Sequence, residues 1–188
     1  MLGESFGEVL EGARGGDEQA FTRLYRDLNP ALLRYFGAQA PSEADDLASE
    51  TWMAAARGLR SFEGGEGAFR AWIFTIAHRR LVQHWRGGSR RPVRAFDPGA
   101  FDLLLGAADT EREALEGIEA SEGVAAARAL IAELTSDQAQ VVLLRVLGGL
   151  SVEEVAAAVG KRPGTVRVLQ HRALRHLAAR LSLEGVTR

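Results

Sequence analysis

This chain predicts an all-α fold: two small helical domains joined by a flexible linker, the C-terminal one containing a helix-turn-helix. Three observations carry that expectation. Apolar residues recur at helical spacing almost throughout, and no alternating strand pattern stands out. A stretch rich in Gly, Pro and charge, GGSRRPVRAFDPGA, interrupts the periodicity after Arg86. Near the C-terminal end, in LSVEEVAAAVGKRPGTVRVLQHRALRHLAARL, two short amphipathic segments flank a tight break.

The elements follow in order. An N-terminal helical unit is expected over about 16–86. Its first helix carries Phe21, Leu24, Tyr25 and Leu28, and Pro30 should break or kink it. Leu32, Leu33 and Phe36 continue the apolar face. A second helix starts near Ser42 with Leu47, Thr51, Ala55 and Leu59 inward. A third starts near Ala68, and its Phe69, Trp72, Ile73, Ile76 and Leu81 lie at core spacing. The linker, some thirty residues, could reach on the order of 100 Å if fully extended. A C-terminal unit then begins near Glu113, where Thr135 and Gln138 form a capping box ahead of VVLLRVL.

The helix-turn-helix has its own signals. Ser151 and Glu154 form a second capping box, and Val152, Val155, Ala156 and Val159 make an apolar stripe. Gly160 suits a left-handed helix end, and Pro163 suits the first turn of the next helix. On that helix Val166, Leu169, Ala173, Leu174, Leu177 and Leu181 fall on one side, with Gln170 partly buried among them. Arg167, Val168, His171, Arg172 and Arg175 fall on the other, as a second helix that meets DNA requires. The plainer alternative is a helical hairpin with a solvated basic face.

Bulk properties exclude several classes. The chain has 188 residues and no Cys, so disulfides and thiolate metal sites are absent. His78, His84, His171 and His176 lie in basic segments and make no metal-ligand cluster with carboxylates. The absence of a leader pattern and of an apolar run of about 20 residues predicts a cytoplasmic protein without membrane contact. Net charge is −2, but the charge is blocked. Phe69 to Phe96 is basic and acid-free, and so is Val155 to Leu183, while Asp97 to Asp137 between them is strongly acidic.

Two N-terminal constellations stand out. FRAWIFTIAHRRLVQHWR, Phe69 to Arg86, mixes arginines that neutralise phosphate with aromatics that stack on unpaired bases. Core packing claims most of its aromatics, which leaves Arg79, Arg80, Gln83, His84 and Arg86 as nucleic-acid contacts. The preceding loop, SFEGGEG, has glycines that let backbone approach a flipped base. In DDLASETW, Asp46 and Glu50 share a helix face. They read as a solvated acidic face or as a protein-docking surface of Asp45, Asp46 and Glu50 with Trp52 as anchor.

In this order, GDEQAFTRLYRDLNPALLRYF, DDLASETWMAAARGLRSF, FRAWIFTIAHRRLVQHWR and LTSDQAQVVLLRVLGGLSVEEVAAAVGKRPGTVRVLQHRALRHL resemble an extracytoplasmic-function (ECF) sigma factor. That is the small two-domain class of the sigma-70 family of bacterial RNA polymerase. The resemblance implies a non-enzymatic subunit with no cofactor and no small-molecule substrate. It would bind core RNA polymerase and promoter DNA, direct transcription initiation and assist strand opening. Residues 1–86 would be the sigma-2-like domain, 87–112 the linker and 113–188 the sigma-4-like domain.

Asp45, Asp46, Glu50 and Trp52 would meet the β′ clamp helices. Phe62, Glu63, Arg79, Arg80, Gln83, His84 and Arg86 would recognise the downstream (−10) element, the loop holding a flipped base. Arg162, Thr165, Arg167, Val168, His171, Arg172 and Arg175 would read the upstream (−35) element, their domain also touching the β flap. An anti-sigma factor is a common partner in the family. Arg79 and Gln83 stand where Asn and Asp are frequent, and Leu169-Gln170 where Arg-Leu is common, which bears on promoter preference.

Two other functions compete. A stand-alone helix-turn-helix regulator with a ligand-sensing N-terminal domain would bind operator DNA tightly without polymerase. An all-helical metal enzyme would use Asp45, Asp46 and Glu50, yet it would need a second acidic cluster that the neighbouring helices lack.

Overall fold

The computed structural model describes residues 2–87 and 129–185, with side chains as far as residue 180. Residues 88–128, which hold the expected linker and the start of the C-terminal unit, lie outside the described residues, as does the Leu181 side chain. No strand occurs among the described residues.

The N-terminal domain is built from α1 (Phe6–Arg14), α2 (Glu18–Gly37), α3 (Ala44–Gly58) and α4 (Glu66–Gly87). Helix α1 lies ahead of the expected start. Phe6, Val9, Leu10 and Ala13 form its buried face against α2. Asp17 caps α2, its Oδ1 accepting from the Gln19 N–H at 2.8 Å and the Ala20 N–H at 3.3 Å. Of the two expected effects of Pro30, a break does not occur: α2 runs through it. Arg26, whose carbonyl loses its helical donor, and Pro30 are both exposed residues, so the lost bond falls on the solvent side of the helix. Leu24 and Leu28 before the proline and Leu32, Tyr35 and Phe36 after it are at most 3% exposed, and their burial carries the helix on past it.

Helices α3 and α4 pack together and complete the core through Leu47, Ala48, Thr51, Trp52 and Ala55 on one side and Phe69, Ile73, Phe74, Ala77 and Leu81 on the other. His78 is buried with them, its Nδ1 3.2 Å from the Tyr35 hydroxyl. Desolvation by burial, aided by the neighbouring Arg79 charge, pushes the imidazole pKa down to about 4. The same burial raises the Tyr35 phenol. The protonated Tyr35 hydroxyl and the neutral His78 ring therefore share one hydrogen bond.

The C-terminal domain contains α5 (Ser136–Val146), α6 (Val152–Val159) and α7 (Pro163–Gly185). Both expected capping boxes form, Thr135 with Gln138 and Ser151 with Glu154. Gly160 ends α6 in the left-handed region, φ 67°, which an L side chain adopts only with strain. Helix α7 packs on α5 and α6 through Val166 and Ala173, both fully buried, with Leu169 and Leu177 half-buried.

The two domains also touch. Helix α4 packs on α6, and Val141, Leu144, Leu150 and Val155 belong to one apolar core with Phe74 and Ala77. Arg70 donates from Nη1 to the Leu147 carbonyl at 3.4 Å.

Candidate nucleic-acid interface

Helix α7 presents its basic residues as the helical wheel requires. Arg167, Val168, His171, Arg172 and Arg175 are all exposed, as are Arg162 and Thr165 in the turn and first turn before them. Gln170 is partly buried, as its position implies. Leu174 departs from expectation: it is 50% exposed. Ala173 and Leu177 occupy the space against α5, so the neighbouring leucine is left on the flank.

The face is held by polar contacts at both ends. Arg167 Nη2 donates to Glu153 Oε1 of α6 at 2.8 Å, and Lys161 Nζ lies 3.0 Å from Asp137 Oδ2 of α5. Arg180 donates from Nε and Nη2 to the two oxygens of Glu133, each at 2.6 Å, and His176 Nε2 lies 3.1 Å from the same carboxylate. These partners, Arg180 first, hold the Glu133 carboxyl below its ordinary range. His176 therefore turns back to its own domain.

The second basic surface lies at the C-terminal end of α4. Arg79, Gln83 and Arg86 are exposed, and Arg80 and His84 are half-buried. Arg80 Nη1 sits 3.7 Å from Glu50 Oε2 of α3 and also donates to Gln83 Oε1 at 3.4 Å. His84 Nε2 lies 3.9 Å from Glu43 Oε2. Residues assigned to two different partners, Glu50 and Arg80, thus face each other across the α3–α4 pair.

Two residues of the expected sites belong to the core. Trp52 is 5% exposed, meets Phe21 edge-to-face and Tyr25 at a tilt, and its indole N–H donates to Asn29 Oδ1 at 3.1 Å. It cannot anchor a partner from there. The large residue on that surface is Met53, 53% exposed, with Tyr25 at 40% beyond it on α2. Met53 follows Asp46 and Glu50 at helical spacing on α3, a signal already present in the sequence. Phe62 is 8% exposed and packs on Phe69 and Trp72 at ring-centroid distances of 5.4 and 5.0 Å. It supports the loop from beneath, while Glu63 is exposed on top. The loop folds back at Gly64, φ 141°, where an added Cβ would meet the Ala68 Cβ at 2.8 Å.

Among the described residues no group of three or more His, Asp or Glu side chains is placed to hold a metal ion, and Asp45, Asp46 and Glu50 form no such site. No described helix is long and apolar enough to cross a membrane.

Comparisons with known proteins agree with this arrangement. Residues 20–91 match the family model of sigma-70 region 2, and residues 125–177 that of sigma-70 region 4. The chain is 31% identical to the ECF RNA polymerase sigma factor SigD of Mycobacterium tuberculosis, over 98% of this chain and 88% of that protein. It is 32% identical to ShbA of Streptomyces griseus, over 92% and 93% of the two chains. It is 33% identical to BldN of Streptomyces coelicolor, where the match covers 91% of this chain but spans only 64% of the relative's length. In fold it is similar to CnrH, solved with the cytosolic domain of CnrY, with a TM-score of 0.60 and 24% identity over 96% and 99% of the chains. The sigma factor RpoE of Bartonella quintana, solved with the anti-sigma factor NepR, gives a TM-score of 0.60 at 23% identity over 86% and 96%. Two sigma-70 domains in order, on a helical frame with two basic surfaces, place this chain in the ECF family of RNA polymerase sigma factors.

Proposed function

We infer that this chain directs promoter-specific initiation by dividing its contacts among three surfaces. Arg162, Thr165, Arg167, Val168, His171, Arg172 and Arg175 contact the upstream element. Glu63, Arg79, Arg80, Gln83, His84 and Arg86 contact the downstream element, and the loop around Gly64 receives an unpaired base. Asp45, Asp46, Glu50 and the exposed Met53 dock on core polymerase. The boundaries 1–86, 87–112 and 113–188 are the proposed domain limits, with the acidic segment threading toward the polymerase cleft.

The observation that carries this reading is the exposure of the whole basic face of α7 on a helix-turn-helix whose opposite face is seated on α5 and α6 through the buried Val166 and Ala173. The chain supplies binding energy and performs no covalent step of its own. It acts in the cytoplasm, and an anti-sigma factor is a proposed partner. Mixing the chain with core polymerase and sequencing promoter-directed transcripts tests the reading; failure to associate with core polymerase refutes it. Tight operator binding without polymerase would favour a stand-alone regulator instead.

A further inference from the structure

We propose that Glu153 is a positioning residue for Arg167 and that the pair reads a guanine in the upstream promoter element, a step that rests on the assignment of α6 and α7 to that element. Glu153 lies in the first turn of α6 and Arg167 near the start of α7, and Glu153 Oε1 accepts from Arg167 Nη2 at 2.8 Å. The adjacent acid is otherwise engaged: Glu154 Oε2 accepts the Ser151 N–H at 2.6 Å in the capping box. The Glu153 carboxylate instead crosses to the next helix.

A first-turn acid favours the helix N-terminus, but that needs no partner on α7, and an exposed ion pair adds little stability, so stability does not account for the contact with Arg167. Its charge also repels phosphate on the face that carries Arg162, Arg167, Arg172 and Arg175. What the carboxylate supplies is orientation. Guanine is read through O6 and N7 by paired N–H donors of one arginine, and a guanidinium whose plane is set beforehand loses less freedom on contact. Residues near the start of a recognition helix are those that reach base edges.

Both ends of the pair stand on fixed backbone. Val155 and Val166 are fully buried where α6 meets α7. The turn between these helices is fixed by Gly160 and pinned by the Lys161–Asp137 pair. With one edge held by Glu153, the remaining donors of Arg167 are offered in a set direction.

The test uses the full chain with core polymerase on a promoter library randomised in the upstream element, with transcripts sequenced. The wild type shows a guanine preference at one position, and Arg167→Ala removes that preference while sparing the others. Glu153→Ala lowers the same preference on the order of tenfold, and Glu153→Gln, a neutral acceptor, falls between. Affinity of the polymerase complex for a scrambled duplex holds or rises in Glu153→Ala, because a negative charge has left the phosphate face. The double variant matches Arg167→Ala alone. An unchanged guanine preference in Glu153→Ala or in Arg167→Ala overturns the proposal. So does an equal loss at every position and on the scrambled duplex, the mark of a merely structural role. Absence of promoter-directed transcripts with the wild type removes the sigma assignment of these helices, and the proposal with it.

Discussion

Acidification should unlock the N-terminal domain through His78. The ring is 4% exposed, and its Nδ1 shares a hydrogen bond with the Tyr35 hydroxyl, 3.2 Å away. Its pKa in the folded chain is pushed down to about 4 from the ordinary 6.5, first by burial and then by the Arg79 charge. The unfolded chain thus takes up a proton as pH falls through 6.5, while the folded chain resists until about pH 4. Stability is lost across that window as pH falls, and the loss levels off below it. The gap corresponds to about 3 kcal/mol, a sizeable part of a small domain's total of about 5–15 kcal/mol.

The assay is urea unfolding followed by tryptophan fluorescence. The chain's three tryptophans, Trp52, Trp72 and Trp85, all lie in the domain that holds His78, so the signal reports that domain. Glu133 also loses its favourable partners in acid, but equally in the wild type and in a His78 variant, so its contribution cancels in the comparison. His78→Gln keeps a hydrogen-bonding side chain and cannot titrate. It should be less stable than the wild type at neutral pH and lose about 3 kcal/mol less on acidification to about pH 4. Equal losses in the two proteins, or a His78 resonance in the folded chain titrating near its ordinary value, would refute the reasoning.

Other outcomes follow from the same geometry. Ser151→Ala breaks the capping box of α6 and should cost about 1 kcal/mol, read as a lower unfolding midpoint of the C-terminal domain by circular dichroism. Phe62→Ala removes a ring packed on Phe69 and Trp72. It should destabilise the N-terminal domain by about 3 kcal/mol; a variant of unchanged stability but poor promoter opening would place Phe62 on the DNA after all. Asp46→Arg, at an exposed site, should weaken core polymerase binding in a pull-down with no change in unfolding midpoint. Arg172→Ala and Arg175→Ala should each make the salt dependence of upstream-element binding shallower by about 0.9 in log–log slope, if the contact is to phosphate.

Most of the frame was legible from residue order. Capping boxes at Thr135 and Ser151, the glycine turn at Gly160 and the wheel of α7 depend on neighbours a few residues apart, and the structure contains them, with Leu174 the exception on the wheel. Pro30 does not end α2, because burial of Leu28 and Leu32 on either side outweighs the lost hydrogen bond. Trp52 and Phe62 did mislead. A large aromatic beside charged residues fits a docking anchor or a core edge equally well, and only its contacts with Asn29 or with Phe69 and Trp72 separate the two. Met53 could have been found by extending the spacing of Asp46 and Glu50 by one more turn.

Sequence alone determined the all-α class, the two basic surfaces and the family, because helical periodicity, caps and ordered motifs are local properties of the chain. Tertiary structure decided which neighbour covers each face. It set Glu50 against Arg80, turned His176 back to Glu133, gave Arg167 its partner in Glu153 and seated α4 on α6. Those pairings join residues far apart in sequence, and the pattern of one helix carries no record of the side chains that another helix brings to it.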